Sequence, residues 1–232
     1  MIAALFKAFR QLSDPRLRRV VKLGVVGALL CYALLVAGMW LGLGALAERL
    51  PADQSWVGWA VAGLVVTGKL GLVVVPLLLF PALATTVSSF MLEQVADAVE
   101  ARHYPELNWP RPQRWPEMLG TTLRFLAAAV VINLLALPFY LALLFTGLTL
   151  IAFYAVNGYL LGREYFEVVA LRRLTPAEAR LLFRNRLGKL WLAGAMITFL
   201  FSVPVLNLAA PVIATAFMVH VFQSLQRTTP KL

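Results

Sequence analysis

Long apolar runs separated by short charged segments dominate the chain. The apolar residues are continuous instead of alternating, which predicts membrane-embedded helices and argues against a β-barrel. We therefore expect an all-α integral membrane protein that forms a single membrane domain over residues 1–232. Its predicted segments, in chain order, are an interfacial helix at 1–13, long transmembrane helices at 20–47 and 57–90, a cytoplasmic helix and loop at 91–124, a helical hairpin at 125–161, cytoplasmic helices at 162–189 and a second hairpin at 190–225.

The first segment is amphipathic. It places Ile2, Leu5, Phe6, Phe9 and Leu12 at helical spacing, which is typical of a helix lying on a membrane surface. An N-terminal helix that is merely ordered is an equally open interpretation.

Both hairpins have a short first limb. About 13 residues precede Pro138 and Pro204 in each case, so that each limb is about 20 Å long. The hydrocarbon core is roughly 30 Å thick. This predicts two re-entrant hairpins that penetrate only part of the bilayer, and a conventional six-span bundle with kinks is the alternative. Backbone that ends at depth must be buried in protein or line water, which indicates an oligomer or a pore.

Composition and charge agree with a membrane protein. Of 232 residues, 61% are hydrophobic and 14% are charged, and the net charge is +10. The basic residues cluster at the ends of apolar runs, as in cytoplasmic membrane loops, and this favours a membrane role over nucleic-acid binding. By the same rule both termini, 91–124 and 162–189 are predicted to be cytoplasmic. Within 162–189, the run from Thr175 to Glu178 has the pattern of a capped helix start.

No catalytic chemistry is apparent. The single cysteine, Cys31, lies in an apolar run, and His103 and His220 have no companion at metal-ligand spacing. No nucleophile set, phosphate-binding glycine loop or zinc motif is present. We therefore expect neither an enzyme nor a bound cofactor or metal.

The richest cluster of positive charge precedes the first long helix. Asp14 is a plausible N-cap and Pro15 suits the first helical position. Arg16, Arg18 and Arg19 then fall near the first turn, where free N–H groups and the helix dipole favour an oxyanion. The alternative is that these arginines are topological anchors that contact lipid phosphates.

Two further residues are candidates for an ion pathway. Lys69 stands in the middle of an apolar run, which is costly unless the side chain faces water or extends to the interface. Glu93 shares a helix face with Asp97 and Glu100. These three carboxylates either pair with cytoplasmic arginines, couple protons or are simply solvated.

Three stretches of the chain resemble the CysZ-type sulfate permeases and the wider etoposide-induced protein family. Pro15-Arg16-Leu17-Arg18-Arg19 is similar to the family's Pro-Gly-Leu-Arg-Arg, and Phe90 to Val95 is similar to its Leu-Leu-Ala-Glu-Lys-Val. The last hairpin, from Ser202 to Pro211, is similar to its Ile-Pro-Leu-Leu-Asn-Leu…Pro. The resemblance covers nearly the whole chain. It implies two long transmembrane helices, two pairs of half-penetrating helices and assembly into oligomers.

The resemblance also implies a function. The family brings sulfate into bacterial cells for cysteine synthesis, which implies a multi-pass protein of the bacterial inner membrane that binds sulfate or a similar oxyanion. Arg18 and Arg19 would hold the anion, and amides near Arg16 and Leu17 would complete the site. The chain has Arg16 where the family has glycine. The alternatives are a permease for another small oxyanion and a non-transporting, lipid-interacting scaffold.

Overall fold

The computed structural model describes residues 1–49, 58, 63, 67, 91–113 and 115–228. The described part of the chain is helical and contains no strand, which confirms the predicted all-α class. Most of the predicted 57–90 helix, including Lys69, lies outside the described residues. The helices are α1 (Ile2–Gln11), α2 (Pro15–Arg49), α3 (Leu92–His103), α4 (Trp115–Leu143), α5 (Thr149–Ala170), α6 (Pro176–Asn185), α7 (Leu187–Ser202), α8 (Pro204–Asn207) and α9 (Ala210–Thr228).

Among the described helices, α5 and α7 make the most extensive contact with each other. Gly158 and Gly162 of α5 meet Gly194 of α7 so closely that a Cβ on Gly194 would collide with the Gly158 carbonyl oxygen. A Cβ on Gly162 would lie 2.5 Å from the Leu190 carbonyl oxygen. Small residues at such spacing allow helix backbones to touch and maximise dispersion contact. Nearby, the Trp191 indole donates to the Ala155 carbonyl oxygen at 2.9 Å across the same crossing.

Helix α9 is the central helix of the bundle. Every residue from 210 to 223 is buried, as expected for a helix that is covered on all sides. It packs against α5 and α7 and also against α1 and α3. Helix α1 is therefore a packed element: Leu5, Phe9 and Leu12 lie against the core, whereas Ile2 and Phe6 are exposed. Its predicted contact with a membrane surface stays a prediction.

Helices α2 and α4 carry most of the exposed apolar surface. Both are long and apolar enough to cross a membrane, at Pro15–Gly42 and Trp115–Leu143. In α4 only Ala136 is buried, although nearly all its residues are apolar. In water such a surface would be a large aggregation liability, so these two helices indicate a membrane protein.

The predicted break at Pro138 is wrong. Helix α4 continues through Pro138 to Leu143, and the chain turns only at 144–148, where Gly147 has φ = +72°. At 29 residues, α4 is about 44 Å long, so the argument from a short first limb does not hold for this hairpin. Proline inside a membrane helix is tolerated when small local adjustments satisfy the freed backbone groups.

The second hairpin has the predicted break. Helix α7 has 16 residues, about 24 Å, and ends at Ser202. The chain then forms the short helix α8 from Pro204 before α9 returns. How deeply either hairpin enters the bilayer stays a prediction.

Local caps and a buried ion-pair cluster fix the polar end of the bundle. The Thr175–Glu178 capping box is present: the Thr175 N–H donates to the Glu178 carboxylate at 2.7 Å. Arg172, whose side chain is 6% exposed, pairs with Asp97 and, at 3.2 Å, with Glu100. Arg173 pairs with Glu100 at 2.6 Å. Asp97 and Glu100 thus do pair with arginines, and the pairs tie α3 to the turn after α5.

Gly194→Ala is predicted to destabilise the bundle severely, because the new methyl group would meet the backbone of α5, which cannot move as a flexible side chain can. We expect a loss of about 3 kcal/mol or more, measured as a lower thermal midpoint in detergent. Gly188→Ala is the matched control on the same helix, since a Cβ there has no atom within 4 Å. It should leave the midpoint unchanged or slightly higher. Equal effects of the two changes would contradict the close crossing.

Candidate anion-binding site

Asp14 organises the start of α2. The Arg16 N–H donates to the Asp14 Oδ1 at 2.9 Å, and the Arg18 N–H donates to the Asp14 carbonyl oxygen at 3.0 Å. Pro15, at the first helical position, has no N–H to satisfy. The structure thus confirms the predicted N-cap and the predicted start of the helix.

Leu17 anchors this turn. Its side chain is 2% exposed and belongs to the hydrophobic core. Of the first-turn amides, Arg16 and Arg18 already donate to Asp14. Within the described ranges the Leu17 N–H has no such acceptor, but the residue is buried, so the exposed arginines are the groups that an added anion would meet.

The three arginines surround the turn and are exposed. The Arg18 Nε donates to the Leu12 carbonyl oxygen at 3.1 Å, which holds this side chain over the turn between α1 and α2. Arg16, Arg19 and Lys22 recur every third residue, so they share one helix face. We call these three residues, together with Arg18, the basic turn. Its guanidinium groups are available to an oxyanion or to lipid phosphates.

A carboxylate already lies at this helix start. Asp14 is 17% exposed at its side chain, and its Oδ2 is 3.1 Å from Nη1 of Arg102 at the end of α3. The negative charge of Asp14 therefore takes part of the dipole and hydrogen-bonding capacity that an added anion would use. The sequence analysis treated Asp14 only as a helix cap and missed that its carboxylate competes with an added anion. The predicted cap already implied this competition, because a capping carboxylate is itself an anion at the helix start. Arg102 lies 88 residues away, and no local pattern indicated its role.

The surroundings of the Asp14–Arg102 pair are electropositive. Burial, Arg102 and then Lys7 all lower the pKa of the His103 imidazole. His103 follows Arg102 at the end of α3, so the same positive field acts on both. Because His103 is then neutral at pH 7, the positive charge near this pair comes from lysine and arginine side chains.

The structure does not bring Glu93 to the basic turn. Glu93 is exposed near the start of α3, nine residues from Arg102, or about 14 Å along the helix. It lines a cavity of about 370 Å³ between α3, α4 and α5, together with Thr121 and Glu164. The other pathway candidate, Lys69, lies outside the described residues. Across the residues that the structure does describe, no three His, Cys, Asp or Glu side chains are grouped to hold a metal ion.

Comparison with known protein families shows which family the chain belongs to. No curated protein matches it. The family described as "Sulfate transporter CysZ/Etoposide-induced protein 2.4" matches residues 4–211, from α1 to the start of α9. That range includes the basic turn, the α5–α7 crossing, the first hairpin and the first limb of the second hairpin. The match covers most of the 232 residues, and the protein therefore belongs to the sulfate transporter CysZ/Etoposide-induced protein 2.4 family.

Proposed function

We propose that the protein is a permease for sulfate, or for a closely similar oxyanion, in the bacterial inner membrane, and that it supplies sulfur for cysteine synthesis. It acts as a transporter and not as an enzyme. The observation that carries the proposal is the basic turn: four exposed cations surround the start of a helix that is long enough to cross the membrane. Family membership supports the choice of sulfate among possible oxyanions.

The positions of the basic segments support one orientation. Asp14 pairs with Arg102, Glu106 with Arg227, and the Arg111 N–H donates to the Arg172 carbonyl oxygen at 2.8 Å. The N-terminal segment, the 91–113 segment, the turn after α5 and the end of α9 therefore meet at one end of the bundle. Because cytoplasmic segments of membrane proteins are rich in lysine and arginine, we place this end and both termini in the cytoplasm.

The outer faces of α2 and α4 support a homo-oligomer in lipid. Leu34 and Leu41 on α2 are about 70% exposed, and Leu134 and Leu135 on α4 are 64% and 65% exposed. Lipid or a second copy of the chain must cover this surface. A path for the anion between copies would use the polar residues that face it, for which Lys69 and Glu93 remain our candidates.

The competing function is a non-transporting scaffold whose arginines hold lipid phosphates. Its support is the exposure of Arg16, Arg18 and Arg19, together with the carboxylate of Asp14 at the helix start. Both functions use the same basic turn. The tests below therefore measure the uptake and the binding of sulfate, which the scaffold function does not require.

Arg18→Ala with Arg19→Ala should abolish most sulfate uptake into proteoliposomes, because it removes two of the exposed guanidinium groups of the basic turn. We expect at least a tenfold loss of the initial rate, consistent with about 1.5–3 kcal/mol for each charged hydrogen bond. Arg180→Ala with Arg184→Ala is the matched control. It removes the same two positive charges from exposed positions on α6 and should retain the rate. Equal loss in both variants, or uptake in neither variant nor wild type, would instead favour the scaffold.

Asp14→Asn should tighten sulfate binding. Asparagine caps a helix as well as aspartate does, so the fold is kept while one negative charge is removed beside the anion. We expect roughly three- to tenfold tighter binding, since two unit charges about 4 Å apart in a well-solvated site interact by ~1 kcal/mol. The measurement is isothermal titration with sulfate.

The control for this change is Asp14→Ala, which removes the charge and the cap together. It should lower the thermal midpoint, whereas Asp14→Asn should not. Weaker sulfate binding by a folded Asp14→Asn variant would show that the anion does not share the helix start with this carboxylate.

A further inference from the structure

A second polar cleft lies between α1, α9 and the end of α3. Its cavity volume is about 360 Å³. The polar side chains that line it are Lys7, Tyr104, His220, Gln223, Ser224 and Arg227. We call it the α1–α9 cleft. It shares none of its lining residues with the basic turn.

The cleft is positively charged. Lys7 reaches it from α1 and Arg227 from the end of α9, where the guanidinium carbon lies 5.6 Å above the Tyr104 ring. The described carboxylate beside it is Glu106, which is 60% exposed and 3.5 Å from Arg227, so this pair is weak and open to water. A cleft of this charge attracts anions.

Two buried nitrogens of cleft residues have no hydrogen-bond partner among the described residues. They are the Nε2 atoms of His220, which is 4% exposed, and of Gln223, which is 6% exposed. The Tyr104 hydroxyl is 2.9 Å from the other ring nitrogen of His220, Nδ1. When that hydroxyl donates to Nδ1, the proton of the neutral ring is on Nε2, which is then a donor. Unpaired buried donors are costly and call for an acceptor.

The size of the cleft bears on the kind of anion. A volume of about 360 Å³ lies at the lower end of the range for small-molecule sites and exceeds the needs of a bare tetrahedral ion. The apolar part of the lining comes from α1 and from Val221. We infer that the α1–α9 cleft binds a phosphate group carrying a small organic substituent. Lys7 and Arg227 would neutralise the negative charge of the phosphate, and His220 and Gln223 would donate hydrogen bonds to its oxygens.

Such a ligand has two possible sources, a soluble phosphomonoester and the headgroup of an anionic lipid. The chemistry at the cleft is the same for both. The inference stands apart from sulfate transport, since it depends on none of Arg16, Arg18 and Arg19. Failure of sulfate uptake would leave it unaffected.

The test uses the two histidines of the chain as probes. The intact protein is labelled with ¹⁵N-histidine and studied by NMR in phosphate-free maltoside micelles, with His103→Gln used to assign the signals. Titration with glycerol 3-phosphate should shift the His220 ring signals, above all that of Nε2, because the Nε2–H then donates to a phosphate oxygen. In a second arm, nanodiscs containing phosphatidylglycerol should produce the same shift relative to micelles if the source is lipid.

Lys7→Met tests the contribution of charge. It should weaken the apparent affinity for the probe that shifts His220 by about tenfold. Lys189→Met, which removes an exposed lysine from α7, is the matched control and should change the affinity less than twofold. A shift with glycerol 3-phosphate or with phosphatidylglycerol supports the site and identifies the source. No His220 shift in either arm, or an affinity that Lys7→Met leaves unchanged, would overturn the inference.

Discussion

The contact between the backbones of α5 and α7 determines how the rest of the molecule is placed. Because Gly158, Gly162 and Gly194 have no side chains, the two helices form a thin, closely packed pair. Helix α9 packs on this pair, and α1 and α3 pack on α9. Helix α1 leads directly into Asp14 and the basic turn. A continuous series of helix contacts thus links the three glycines to the candidate site, which is also held by the Asp14–Arg102 pair.

The basic turn holds an internal anion as well as cations. Asp14 caps α2 and pairs with Arg102, so the positive potential of the proposed anion site is partly neutralised. A permeation site must bind its ion strongly enough to select it and weakly enough to release it. A fixed carboxylate beside several guanidinium groups is one way to reach that balance. A site without the carboxylate would hold a divalent anion more tightly and release it more slowly.

Features encoded by neighbouring residues could be predicted from the sequence, and features that depend on distant contacts could not. The caps at Asp14 and Thr175 were predicted because each needs only residues within one turn. The break at Pro204 was predicted correctly and the one at Pro138 was not, since a lone proline in a long apolar helix can be absorbed locally. The Asp14–Arg102 pair joins residues 88 apart, and the α1–α9 packing joins the two ends of the described chain. The resemblance to the family was confirmed by the match over residues 4–211.

The packing of the first helix against the last also affects how the protein is made. About 200 residues separate α1 from α9, and ribosomes add roughly 5–20 residues per second. Helix α9 is therefore synthesised on the order of 10 seconds or more after helix α1. During that time Leu5 and Phe9, which α9 later covers, are exposed beside Ile2 and Phe6. The apolar surface nearest to a nascent membrane protein is the bilayer itself, so we expect the membrane interface to cover the apolar face of α1 until α9 is made.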